Sequence, residues 1–154
     1  MFGENKVQEA RRKIPGLRGD FTFHMVGHLQ SNKAREAVQL FDLIHSIDKA
    51  DTAAAVDREA GRIGKMQKVL VQVNTSGEES KSGIGLTSAR ELVARVTDLK
   101  NLDLLGFMTM APFTDDESVI RQSFRAARGL LEEINGSLGL ALAELSMGMS
   151  SDYR

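Results

Sequence analysis

Cysteine is absent from all 154 residues, so the chain carries neither a disulfide framework nor a thiolate metal site. That absence fits a reducing compartment. Histidine is scarce as well. His24, His28 and His45 are the only 3, and none belongs to a His-Glu-x-x-His helix, which argues against a metal centre. Charge of one sign is missing too: 20 basic and 21 acidic residues leave a formal net charge of −1. That balance offers no electrostatic case for nucleic acid or for a membrane surface. No apolar run reaches the roughly 20 residues of a membrane-spanning helix. The opening Met1-Phe2-Gly3-Glu4-Asn5-Lys6 lacks the apolar core of a signal peptide. A Gly-x-Gly-x-x-Gly turn and a Walker-type glycine–lysine loop are both missing, which weighs against a nucleotide fold. The expectation at this level is one cytoplasmic domain over residues 1–154, with no nucleic acid and no membrane as partner. A hydrophobic content of 42% is enough to pack its core.

What is present alternates between two hydrophobic periods. Phe2-Gly3-Glu4-Asn5 reads as the end of a strand, and Glu4 to Ile14 as a helix with Val7, Ala10 and Ile14 on one face, ended by Pro15-Gly16. Thr22 to Val26 reads as a strand and about Asn32 to Leu40 as a helix. Leu43 to Ile47, closed by Asp48, is the next strand. The helix Asp51 to Ile63 has Val56, Ala60 and Ile63 on one face and Gly64 at its C-cap. Val69 to Asn74 is a nearly continuous apolar strand of the kind buried on both faces of a parallel sheet. After the polar loop Thr75 to Gly83, Ser88-Ala89-Arg90-Glu91 reads as a capping box for a helix carrying Leu92, Val96 and Leu99. Leu104 to Met110 is a strand. Thr114-Asp115-Asp116-Glu117 reads as a second capping box, for a helix with Ile120, Phe124, Ala127, Leu131 and Ile134, stopped by Gly136. Leu145 to Ser150 is the last strand and its exit loop.

Strand and helix thus alternate about every 25–35 residues, the rhythm of βα units in a parallel sheet. Two arrangements fit: a doubly wound open sheet, or part of a (β/α)8 barrel, which needs about 250 residues to close. Polar and small residues collect after the strands, at Asn5, His24–Asn32, Asp48, Asn74–Gly83, Met110 and Ser146–Ser150. In both folds the carboxyl ends of the strands are where ligands bind. The densest such stretch is Phe21 to Lys33. There Gly27 permits a tight turn or a close approach, Ser31 and Asn32 are good helix caps, and two histidines share the loop with Lys33. His24 and His28 have the chemistry of general bases. The ordinary readings are a buried strand histidine for His24, a solvated helix residue for Lys33, and strand-end capping for Ser146 and Ser150.

Four segments taken in order are more specific than any one of them. They are Phe2-Gly3-Glu4-Asn5-Lys6-Val7-Gln8-Glu9, His24-Met25-Val26-Gly27-His28-Leu29-Gln30-Ser31-Asn32-Lys33, Asn74 with Ser80-Lys81-Ser82-Gly83-Ile84, and Leu145-Ser146-Met147-Gly148-Met149-Ser150-Ser151-Asp152. Together they resemble the pyridoxal phosphate homeostasis protein family, which is similar to the barrel domain of alanine racemase and eukaryotic ornithine decarboxylase. The resemblance implies a (β/α)8 TIM-type barrel of the alanine racemase N-terminal domain type, here incomplete at about five to six βα units. It implies pyridoxal 5′-phosphate (PLP) at the carboxyl ends of the strands. By the same resemblance Asn5 would lie beside the cofactor at the end of the second strand. Ser146 and Ser150 would hold its phosphate at the end of the seventh, Met147, Gly148 and Met149 would line that wall, and His24 would belong to the cofactor-binding set.

Two family features have no counterpart here. The family's anchoring lysine lies on the first strand and its Arg-Ile-Gly segment on the eighth, so the sequence reads as a fragment from the second strand's end through the seventh. Lys33 and Lys81 are poor replacements, because an amine must be partly deprotonated to react and carboxylates near Lys81 favour its charged form. The expectation is therefore a PLP-binding protein of vitamin B6 and amino-acid homeostasis, a monomer or weak homodimer without catalytic residues or metal. The alternative is a PLP-dependent amino-acid racemase or decarboxylase, and a third reading is a structural chain that pairs with a complementary piece.

Overall fold

The computed structural model describes residues 1–76 and 82–149. Strand β1 (Phe2–Glu4) leads into helix α1 (Val7–Lys13), and β2 (Phe23–Met25) into α2 (Ala34–Leu40). Strand β3 (Leu43–Ile47) leads into α3 (Ala50–Arg62), and β4 (Gln67–Asn74), through the two-residue β5 (Ile84–Gly85), into α4 (Leu86–Thr97). Strand β6 (Leu102–Thr109), helix α5 (Glu117–Leu138) and β7 (Glu144–Met147) complete the order. All pairings are parallel, and the strands lie side by side as β1-β2-β3-β4-β6-β7, with β5 off the path against β4. A doubly wound sheet would reverse its order at a switch point; this sheet never does. Sequential, singly wound βα units form a segment of a TIM-type barrel, which decides between the two arrangements the sequence left open.

The sheet's outer face and the helices share one core. Phe23, Met25, Ile44, Val69, Val71, Val73 and Phe107 of the strands pack with Val7, Ala10, Val38, Val56, Val93, Val96 and Ile134 of the helices, all nearly inaccessible to water. Many helix positions in this layer are alanine: Ala10, Ala34, Ala37, Ala53, Ala55, Ala60 and Ala89. Small residues let helices sit close on a sheet while keeping high helix propensity. At the amino ends of the strands, Lys65 Nζ donates to the carbonyls of Val38 (2.8 Å) and Phe41 (2.6 Å), satisfying groups that α2 leaves open. Burial lowers the pKa of Lys65, and Asp42 partly restores it.

Several expected boundaries differ. The first helix is shorter than Glu4–Ile14, and Ile14 to Gly16 form a separate 3-10 turn. Ser31 and Asn32 cap nothing: they lie within a 3-10 turn, Ser31–Lys33, and no side chain caps it or α2. Ser88 does not open a capping box, because β5 pairs with Val73 and Asn74 and delivers the chain straight into α4, whose N-cap is Gly85. Thr114 does not open the second box either. Asp116 is the N-cap of α5, accepting from Ser118 N at 2.8 Å. That helix runs through Gly136 and stops at Gly139, whose φ of 64° supplies the left-handed turn a C-terminus needs. Asn135 holds the exit, accepting from Leu142 N at 2.9 Å and donating to Leu142 O at 2.8 Å. Ile63 lies one residue past α3 and is exposed, not packed.

Candidate functional site

Residues that alternate with the core-facing ones point to the sheet's concave face. On β4, β6 and β7, Gln72, Met108 and Ser146 are lateral partners in one row. His45 Nδ1 lies 2.8 Å from Ser146 Oγ. Strands β3 and β7 are separated by β4 and β6, so this hydrogen bond crosses the concavity, and only the curvature of the sheet makes it possible. His24 Nδ1 lies 3.0 Å from His45 Nε2, with the two rings tilted by 45°. Three polar side chains from β2, β3 and β7 therefore form one continuous chain.

Both imidazoles are shifted toward their neutral forms. His45 is buried, and desolvation first and the neighbouring His24 second push its pKa down to about 4. His24 is half-buried and shifted in the same direction, by desolvation, with Asp42 opposing and the N-terminal charge assisting. Beside this chain, Gln72 Oε1 is buried without a hydrogen-bond partner. A second polar set ties down the exits of β4 and β6. Thr75 Oγ1 lies 2.9 Å from Thr109 Oγ1 and 2.5 Å from Ser123 Oγ, while Thr109 Oγ1 donates to Val73 O at 3.0 Å.

The expected residues divide into two places. His24 and Ser146 are brought together, through His45. Met147 ends β7 and is partly exposed, and Gly148 and Met149 continue from it. Gly148 has φ 98°, so at that point the backbone takes a path that ordinary side chains avoid. Asn5 follows β1 directly and lies in a separate cleft with Lys6, Gln8, Met25, His28 and Gln30. Its backbone is so close to Gly27 that a Cβ there would overlap the Asn5 carbonyl, so Gly27 makes its close approach to Asn5. His28 Nδ1 lies 3.6 Å from Asp48 Oδ2, away from the His24 group. Lys33 Nζ is engaged 3.2 Å from Glu36 Oε1. Ser150 and Lys81 lie outside the described residues.

Sequence reasoning missed His45 and Gln72. The available signal was a polar side chain in alternation within each buried strand, at the third position of Leu43–Ile47 and the sixth of Gln67–Asn74. Among the described residues no group of three or more His, Cys, Asp or Glu side chains is placed to hold a metal ion. Among them, too, no helix is long and apolar enough to cross a membrane.

Known proteins share this architecture. A family model described as alanine racemase, N-terminal domain, matches residues 1–154. The Pyridoxal phosphate homeostasis protein of Aquifex aeolicus is 36% identical over 154 residues, covering 99% of this chain and 68% of the relative. PipY of Synechococcus elongatus, solved with PLP bound, superposes with a TM-score of 0.91 at 39% identity, over 99% of this chain and 72% of PipY. An alanine racemase of Clostridium difficile superposes with a TM-score of 0.81 over 97% of this chain and 41% of the racemase, at 12% identity, and so shares the fold alone.

Proposed function

Because this chain belongs to the pyridoxal phosphate homeostasis protein family, built on the alanine racemase N-terminal domain, we propose that it binds PLP and serves vitamin B6 and amino-acid homeostasis. The observation that carries this reading is the 39% identity to PLP-bound PipY over 99% of the chain. The carboxyl end of β7 fits a phosphate ester in kind. It offers the Ser146 hydroxyl and a glycine-containing exit with a positive φ at Gly148, a backbone path that ordinary side chains avoid. The orphaned Gln72 Oε1 supplies an acceptor on the same face. In this reading Ser146, with Ser150 beyond it, donates to phosphate oxygens. His24 borders the ring, Met147, Gly148 and Met149 form the wall, and Asn5 closes the β1 side. When bound, PLP supplies an electrophilic aldehyde on an electron-withdrawing pyridine.

The role is that of a carrier rather than a catalyst. Met147 is exposed at this end of the sheet, which leaves a reactive group unshielded, and likeness to the racemase stops at the fold. Balanced charge and the lack of cysteine support a cytoplasmic protein with no nucleic acid among its partners.

Equilibrium dialysis against PLP tests the reading. Saturable binding is expected, competed by inorganic phosphate and weakened at least tenfold in Ser146→Ala. Absence of saturable binding overturns it. Borohydride reduction with peptide mapping reports whether any lysine of this chain joins the cofactor; a single adduct at Lys33 or Lys81 would show that the chain anchors it unaided.

A further inference from the structure

The hydroxyl of Ser146 is not a free donor. Its oxygen is 2.8 Å from His45 Nδ1, and His45 Nε2 is in turn 3.0 Å from His24 Nδ1. With two neutral imidazoles and one hydroxyl, the chain carries three protons, and only two arrangements make both hydrogen bonds. In one, His24 Nδ1–H donates to His45 Nε2 and His45 Nδ1–H donates to Ser146 Oγ. The hydroxyl proton is then released to point at a ligand. In the other, Ser146 O–H donates to His45 Nδ1 and His45 Nε2–H donates to His24 Nδ1. Ser146 then presents only lone pairs outward, which repel an anion.

We propose that His45 is a positioning residue for anion binding. Held between His24 and Ser146, its ring sets the direction of the Ser146 hydroxyl, and a phosphate at the end of β7 draws both histidines into their Nδ1–H tautomers. This rests on the reading of Ser146 as a phosphate ligand. The arrangement couples the β2–β3 side of the sheet to its β7 edge through protons alone, with no backbone movement required. His45 is buried and flanked on both ring nitrogens, so it has no other hydrogen-bonding choice. His24 is half-buried, and its second nitrogen is the end of the chain where a proton exchanges with water.

The test uses the chain with 15N-labelled histidine rings; only three imidazoles contribute signals. PLP and inorganic phosphate are titrated separately, and tautomers are read from ring 15N shifts. The expected result is that His45 and His24 both move to Nδ1–H with either ligand, while His28 stays unchanged. In parallel, PLP affinity is measured for two variants. His45→Asn keeps an amide N–H near the Nδ1 position and retains affinity within about threefold. His45→Phe loses at least tenfold, and combining it with Ser146→Ala costs little more, because the two act as a unit. A merely structural role for His45 predicts no ligand-driven tautomer shift and no rescue by asparagine. PLP binding with unmoved tautomers and equal affinity of both variants overturns the proposal while leaving the PLP reading intact. A tautomer shift with phosphate alone upholds the proposal and removes the PLP reading. Rings that respond to neither ligand overturn both.

Discussion

Replacing His45 by glutamine changes how the chain's stability depends on pH. An unfolded imidazole titrates near 6.5, whereas folded His45 titrates at about 4, because burial and then the His24 charge disfavour its protonated form. As pH falls, the unfolded state takes up this proton first. The stability conferred by a neutral His45 is therefore complete above 6.5 and is lost as pH falls toward 4. At 1.36 kcal/mol per pKa unit the whole loss is about 3 kcal/mol, of which about 2 kcal/mol has gone by pH 5. With a urea m-value of about 2 kcal/mol/M, that is a midpoint about 1 M lower at pH 5 than at pH 7.5. Other groups in the chain also respond to acid, so the decisive quantity is the stability gap between wild type and His45→Gln. Urea unfolding followed by circular dichroism at pH 7.5, 6 and 5 measures it. The gap shrinks by about 2 kcal/mol from pH 7.5 to 5 if His45 is buried and neutral as described. A gap constant within about 0.5 kcal/mol refutes a folded His45 held neutral by burial.

Two further substitutions test how the carboxyl ends and the helical layer are held. Gly27→Ala places a methyl against the Asn5 carbonyl, and backbone cannot yield as a flexible side chain does. A loss of about 1–3 kcal/mol is expected by urea unfolding, together with weaker PLP binding in dialysis; an unchanged midpoint would show that the Gly27–Asn5 approach is not close. Asp57→Ala removes the carboxylate oxygen that accepts from Asn101 N at 2.8 Å and Nδ2 at 3.1 Å, just before β6. Leaving two part-buried donors unpaired costs about 1–2 kcal/mol, or roughly 2–8 °C in melting temperature by differential scanning calorimetry. Asp57→Asn keeps an acceptor and recovers most of it.

The amino-acid sequence by itself determined the class of fold. Period-2 and period-3.6 patterns alternate, the apolar run around Val69–Val73 marks a strand buried on both faces, and β3 occupies the expected Leu43–Ile47. It also showed which end of the sheet carries chemistry, because small and polar residues such as Asn5, Gly27 and Gly148 follow strands rather than precede them. Local signals failed where tertiary pairing competed with them. Ser88 lost its capping role to the β5–β4 pairing, and Gly136 stayed helical because the packed face of α5 continues on both sides of it, at Ile134 before and Leu138 after. What only the tertiary structure decided is the singly wound strand order and the chain His24–His45–Ser146. His45 and Ser146 are 101 residues apart, and no periodicity relates a residue on β3 to one on β7. Their contact depends on how far four parallel strands bend toward one another, which is set by the twist and packing of the whole sheet.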